Sequence, residues 1–199
     1  MKRSLMLLGA IALMVGFSGT VMGQDTPVNV NASASIVTAL QNEKQSDMYF
    51  GNYIVANEAN IGTVTLSTAS VATPSSNLTL LTSKPTAAAF KITTAYPNMD
   101  YYVQLGSLDA ANTLTLTNSE DLSGTYTNKT MSVNNLILNI GLDGPSVSDV
   151  LLPTNAGYRF DNTLSSTTSY LFIGGTLNVS AHQLPGIYTK TFTVSVLYN

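Results

Sequence analysis

The sequence has no cysteine, no tryptophan, a single histidine, and charge on only 10% of its 199 residues. Without thiols there are no disulfides, no thiolate metal ligands and no cysteine nucleophile. One histidine, His182, leaves any Ser-His-Asp arrangement resting on that residue alone, and no Gly-x-Ser-x-Gly elbow follows the first two dozen residues. A zinc site is short of nitrogen and sulfur ligands for the same reason. Beyond the amino-terminal segment no apolar run approaches the roughly twenty residues that a membrane-spanning helix needs. No stretch of ten or more residues shows apolar positions at helical spacing.

What is present begins with MKRSLMLLGAIALMVGFSGTVMGQ. Two positive charges, an apolar run from Leu5 to about Phe17 and a Val-Met-Gly end follow the order of a secretory signal peptide, with cleavage expected after Gly23. An uncleaved anchor is the alternative; the short run, its glycines and the Val-x-Gly end favour cleavage. No cysteine follows the run, so lipid attachment there is excluded. Residues 24–199 then form one domain of ordinary size, with 24–45 read as an amino-terminal strand and spacer. Loss of Lys2 and Arg3 leaves six of the eight basic residues against eleven acidic ones, a net charge near −5. That balance argues against nucleic acid and anionic membrane as partners. The chain is expected to be exported, to the periplasm, the cell surface or the extracellular space.

Threonine, serine and asparagine dominate the remainder, which suits strands with one wet face and polar turns. VNVNASASI (28–36) alternates Val28, Val30, Ala32, Ala34 and Ile36 against polar residues. A bent strand is read in MYFGNYIV around Gly51, and others at Gly62–Ser67, Leu78–Leu81, Ala87–Ala95, Tyr101–Leu105 and Asn112–Asn118. Tyr96 to Asp100 reads as a hairpin turn between the fourth and fifth of these. MSVNNLILNIGL alternates with one slip at Asn134-Asn135, read as a bulge. Residues 153–159 read as a connection, and SYLFIGGTLNVSA as two strand pieces broken by Gly174-Gly175. GIYTKTFTVSVLYN reads as a closing strand launched by Gly186, with Tyr188, Phe192, Val194, Val196 and Tyr198 on its inner face. Short strands at this spacing predict an all-β protein, an immunoglobulin-like or pilin-like sandwich of about nine or ten antiparallel strands.

The order of these elements carries a resemblance. The closing layout Gly-Gly-Thr-Leu-x-Val, a short loop, then Gly-x-Tyr-x-x-x-Phe-x-Val-x-Val-x-Tyr, behind a leader and a Phe-Gly element, resembles the secreted bacterial proteins grouped as domain of unknown function 4402. More distantly it is similar to pilin-like subunits, including those of the spore coat protein U type. The resemblance implies a secreted β-sandwich and brings no catalytic residue with it.

Candidate chemistry is sparse. His182, in a loop beside Pro185, reads as a solvated turn residue. Glu120-Asp121, and Asp143 with Asp149, lack the twelve-residue calcium-loop spacing and read as turn carboxylates; a pair that meets in space to hydrolyse glycosides stays open. Tyr101-Tyr102 is the candidate sugar platform, since adjacent strand residues face opposite ways. Four Asn-x-Ser/Thr triplets, at Asn31, Asn77, Asn128 and Asn178, are expected by chance in such a composition. No catalytic, cofactor-binding or metal-binding residue is assigned, and no cofactor is expected. The sequence predicts a non-enzymatic structural or surface-assembly protein, fimbria-like, whose partners are copies of itself or other surface proteins. A monomeric carbohydrate- or protein-binding module is the alternative.

Overall fold

The computed structural model describes residues 40–55, 57–81, 84–94, 100–109, 111–120, 124–145, 149–152, 157–160 and 166–198. The expected leader and the alternating segment 28–36 lie outside them. The described residues belong to one unit spanning Val37–Asn199.

Thirteen strands run in chain order: β1 (Gln41–Ser46), β2 (Tyr53–Val55), β3 (Gly62–Leu66), β4 (Ala72–Pro74), β5 (Leu78–Leu80), β6 (Ala88–Thr93), β7 (Tyr101–Gly106), β8 (Leu114–Thr117), β9 (Thr130–Gly141), β10 (Val150–Leu151), β11 (Gly157–Phe160), β12 (Thr168–Val179) and β13 (Thr193–Tyr198). Every ladder among them is antiparallel. This is an all-β sandwich: an eight-stranded sheet, a three-stranded sheet and a two-stranded ribbon share one hydrophobic core. No helix among the described residues is long and apolar enough to cross a membrane.

The organising element is β12. Period-two alternation puts Leu171, Ile173, Leu177 and Val179 on the dry face, all buried. One edge of β12 pairs with β9 along most of its length. The other edge pairs first with β6, through Ile173, and then with β3, from Gly175 onward. The paired glycines therefore do not break the strand, as their local chemistry predicts, but mark where its partner changes. A Cβ at Gly174 would sit 2.2 Å from the Leu66 carbonyl oxygen, so only glycine lets the incoming strand pass this close.

The slip expected in β9 is a bulge. Gly174 faces Ile137 and Thr176 faces Asn134, so two steps on β12 oppose three on β9. Asn135 absorbs the extra residue at φ 47°, a conformation asparagine tolerates better than most side chains. Without the bulge Val133 and Leu136, three apart, would point to opposite faces; with it both are buried.

Four expectations are corrected. Gln41–Ser46, read as spacer, is edge strand β1, paired with β6; its exposed polar residues hide the alternation that would have marked it. The predicted β6–β7 hairpin does not form. β6 lies between β1 and β12, whereas β7 is the centre of the small sheet, between β11 and β13. Turn chemistry is local and does not distinguish a hairpin from a crossing between layers. Gly157–Arg159, within the stretch read as connection, belongs to β11, which pairs with Tyr101–Gln104. The closing strand starts at Thr193 instead of Gly186, because Thr189 first pairs with Thr117 beside β8.

In the small sheet Tyr101, Val103 and Leu105 are buried and Val196 joins them. The Tyr101 and Tyr198 rings lie 5.8 Å apart, and the Tyr198 hydroxyl shares a 2.6 Å hydrogen bond with Thr94, tying the small sheet to the end of β6. The Tyr101 hydroxyl is buried near the Thr94 hydroxyl but makes no hydrogen bond of good geometry. Burial raises its pKa, the Thr94 hydroxyl offsets part of the rise and the Tyr198 phenol adds to it. Tyr101→Phe removes an unsatisfied polar atom while keeping the ring, and is expected to stabilise the fold by about 1 kcal/mol in urea unfolding. The pH dependence has a definite sign. A tyrosine that keeps its proton longer folded than unfolded contributes stability that is intact below about pH 10 and declines as pH rises past it. The Tyr101→Phe chain is expected to lose less stability between pH 9 and pH 11 than the parent; an equal loss refutes the assignment.

Candidate functional site

The sequence candidates disperse. Tyr101 is fully buried and Tyr102 half-buried, so the pair is no exposed platform. Asp149 accepts hydrogen bonds from Thr68 Oγ1 and from Asn139 Nδ2, the latter at 3.0 Å, and so satisfies two buried polar residues. Asp143 lies in an exposed bend, the Glu120 amide closes a turn on Asn118 Oδ1 at 2.9 Å, and Asp121 lies outside the described residues. No cluster of three metal-ligating side chains occurs among the described residues. Of the sequon asparagines, Asn31 is outside the described residues, and Asn77, Asn128 and Asn178 donate to backbone carbonyls.

His182 lies in a turn, as expected, but is not fully solvated. It is half-buried at φ 52°, and its Nδ1 is buried without a partner. Its amide donates to the Glu58 carbonyl at 2.6 Å, and its carbonyl accepts from the amides of Thr127 and Asn128. Its backbone pins the loop after β12 to two others.

That pinning builds one wall of a cleft. Asn128 Nδ2 donates to the Ala181 carbonyl at 2.6 Å, the Leu184 amide donates to the Asn128 carbonyl at 2.8 Å, and Gln183 Nε2 donates to both that carbonyl and the Tyr188 hydroxyl. Tyr188 in turn donates to the Leu184 carbonyl. Gly186, at φ +139°, carries the chain past Asn118, whose Nδ2 a Cβ there would meet at 2.4 Å. The opposite wall is β2 with the preceding Met48–Asn52.

Between the walls lie two adjoining hollows of about 330 and 410 Å³ that share Tyr53, Val55, Met131, Gly186 and Tyr188. The smaller adds Glu58, Tyr126 and Gln183; the larger adds Tyr49, Leu81, Leu116 and Ile187. Ile187 is 81% exposed, Leu81 50% and Tyr49 40%, an apolar rim that single scattered residues do not make.

The tyrosine hydroxyls of the cleft are already engaged. Tyr53 donates to the Phe50 carbonyl at 2.8 Å, Tyr49 to Asn52 Oδ1 at 2.8 Å and Tyr126 to Glu58 Oε1 at 2.8 Å. The Glu58 carboxylate holds the Tyr126 proton and raises its pKa, first through that hydrogen bond and then through its charge; burial does the same to Tyr53, with Tyr49 adding. With hydroxyls committed to the protein, the tyrosines offer ring surface in fixed orientations. Such a cleft suits an apolar or extended polypeptide ligand better than a charged one.

Sequence reasoning missed this site because its walls come from residues 48–58, 116–131 and 177–188. The one available signal was the density of Met, Tyr and Phe in MYFGNYIV.

The fold and cleft define an all-β sandwich with a largely apolar groove, Glu58 at one end, along a short outer strand. The chain belongs to the family described as Domain of unknown function (DUF4402), which it matches over residues 40–198. That span begins at the first described residue, one position before β1, and ends on Tyr198 of β13. Neither the curated proteins nor the solved structures give a match.

Proposed function

We propose that this is a non-enzymatic, exported structural protein that assembles with copies of itself or with other surface proteins, as a fimbria-like subunit does. The observation that supports the reading is the largely apolar cleft, whose tyrosine hydroxyls are spent on internal hydrogen bonds and whose rim exposes Ile187, Leu81 and Tyr49. A surface of this kind favours burial against another chain over positioning of a reactive group. The amino-terminal alternating segment supplies the other half of the reading, as a strand that adds to a neighbour's sheet edge. Of the tyrosine pair behind the carbohydrate-binding alternative, Tyr101 is buried and Tyr102 is half-buried.

Deleting residues 24–38 is expected to abolish self-association in sedimentation velocity while leaving the unfolding midpoint of the domain within about a degree or two. Unchanged assembly after the deletion overturns the proposal.

A further inference from the structure

The strand edges of the molecule are not equivalent. β4 is three residues long and ends in Pro74, a combination that discourages pairing. β1 carries the Lys44–Asp47 ion pair at its end, and Asn42 Nδ2 donates to the Val194 carbonyl, covering part of β13. Charge and side-chain caps are the usual protections of an edge. β2 has neither.

The register of β2 shows which way its backbone points. The Leu81 amide donates to the Asn52 carbonyl at 2.9 Å, so residues 52 and 81 form a hydrogen-bonded pair. Antiparallel pairs alternate, so Ile54 and Thr79 form the next one. Tyr53 and Val55 therefore direct their N–H and C=O groups away from β5. Neither has a backbone partner on that side among the described residues, and both line the cleft. Across the cleft the backbone groups of Ile187 also have no partner among the described residues. Unpaired peptide groups of Tyr53 and Val55 on one side and of Ile187 on the other thus flank an apolar floor of Met131, Leu116, Leu177 and Val179.

We infer that this cleft is an acceptor for one extended strand, and that its occupant is the segment Val28–Ile36 of a second copy of the chain. The inference rests on the assembly reading above and gives it a location. A strand laid beside β2 completes the hydrogen bonds of Tyr53 and Val55 and turns alternate side chains onto the floor. Val28–Ile36 meets those terms: its apolar residues alternate strictly, and no charged residue occurs between Asp25 and Glu43. The donor is a second copy for a reason of reach. Ile36 is four residues from Leu40, at most about 14 Å of chain. β1 and its continuation, in register with residues 93 to 86, carry the chain about 25 Å from Leu40 to Tyr49, which lines the cleft. Four residues of chain are too short to span that distance.

The absence of native cysteine makes the test clean. Full chains carrying Ala34→Cys and full chains carrying Val55→Cys, with different tags, are mixed under mild oxidation and the disulfide-linked heterodimer is quantified. Leu151→Cys, exposed on β10, is the control acceptor. The expected yield with Val55→Cys is at least tenfold above the control. In parallel, Ile187→Asp places a charge at an 81% exposed position, where folding is not at risk. It is expected to weaken association at least tenfold without moving the unfolding midpoint. Equal yields at positions 55 and 151, with association still lost on deleting 24–38, would overturn the cleft as acceptor and leave the assembly reading standing. Linkage within a single chain carrying both cysteines, and none between chains, would overturn the second copy as donor. Association unaffected by the deletion and by Ile187→Asp would overturn both readings.

Discussion

A Gly174→Ala chain is expected to lose about 3 kcal/mol of unfolding free energy, the upper part of the range for overpacking a tight site. The added methyl would lie 2.2 Å from the Leu66 carbonyl oxygen and 3.0 Å from the carbonyl carbon of Ser67. Both are backbone atoms of the segment that begins pairing where β6 leaves off, and neither can step aside without disturbing the β3 ladder at Leu66. The adjacent position supplies the control. At Gly175 the nearest contacts are Leu136 Cδ2 at 3.1 Å and Val133 Cγ1 at 3.2 Å, side-chain atoms that can shift by a few tenths of an ångström, and the one backbone contact, the Asn134 oxygen, is farther off at 3.3 Å. Gly175→Ala is expected to cost about 1 kcal/mol or less. Urea unfolding of both variants decides the matter; equal losses would mean that the change of partner at Gly174 is not the constraint.

Leu171→Ala is expected to cost about 2–5 kcal/mol in the same measurement. Leu171 is fully buried at the centre of the large sheet, opposite Ile140 of β9 on one side and Phe90 of β6 on the other. Strands fixed by ladders on both edges cannot collapse into the space left behind, so the cavity persists and adds to the lost transfer free energy. Leu151→Ala, at a leucine 57% exposed on β10, is expected to stay within about 0.5 kcal/mol. A small effect at Leu171 would place the core elsewhere.

Much of the sandwich was legible because period-two alternation reports burial directly. The strands at 62–66, 78–80, 88–93, 101–106 and 114–117 fall where alternating residues place them, and the bulge at Asn134-Asn135 follows from two apolar residues three apart. The strands that escaped notice, β1, β4, β10 and β11, are polar or short edge segments whose ladders depend on a neighbour's backbone and leave little imprint on side-chain pattern. The cleft escaped for a related reason. His182, Asn128, Gln183 and Asn118 read as ordinary loop residues, and only their mutual hydrogen bonds make them a wall.

The sequence by itself determined the class, since short alternating strands without helical periodicity or cysteine leave an all-β core as the way to bury the apolar surface, and its closing motif pointed to the family. Only the tertiary structure decided which strands are neighbours. Pairing is a contest among backbone edges that are chemically alike, settled by loop reach, close approach at Gly174 and the burial that each arrangement achieves. The closing stretch shows the division most plainly: alternation marked Val194, Val196 and Tyr198 as inward, while the fold alone separated them from Tyr188, which left the sheet to become part of the cleft.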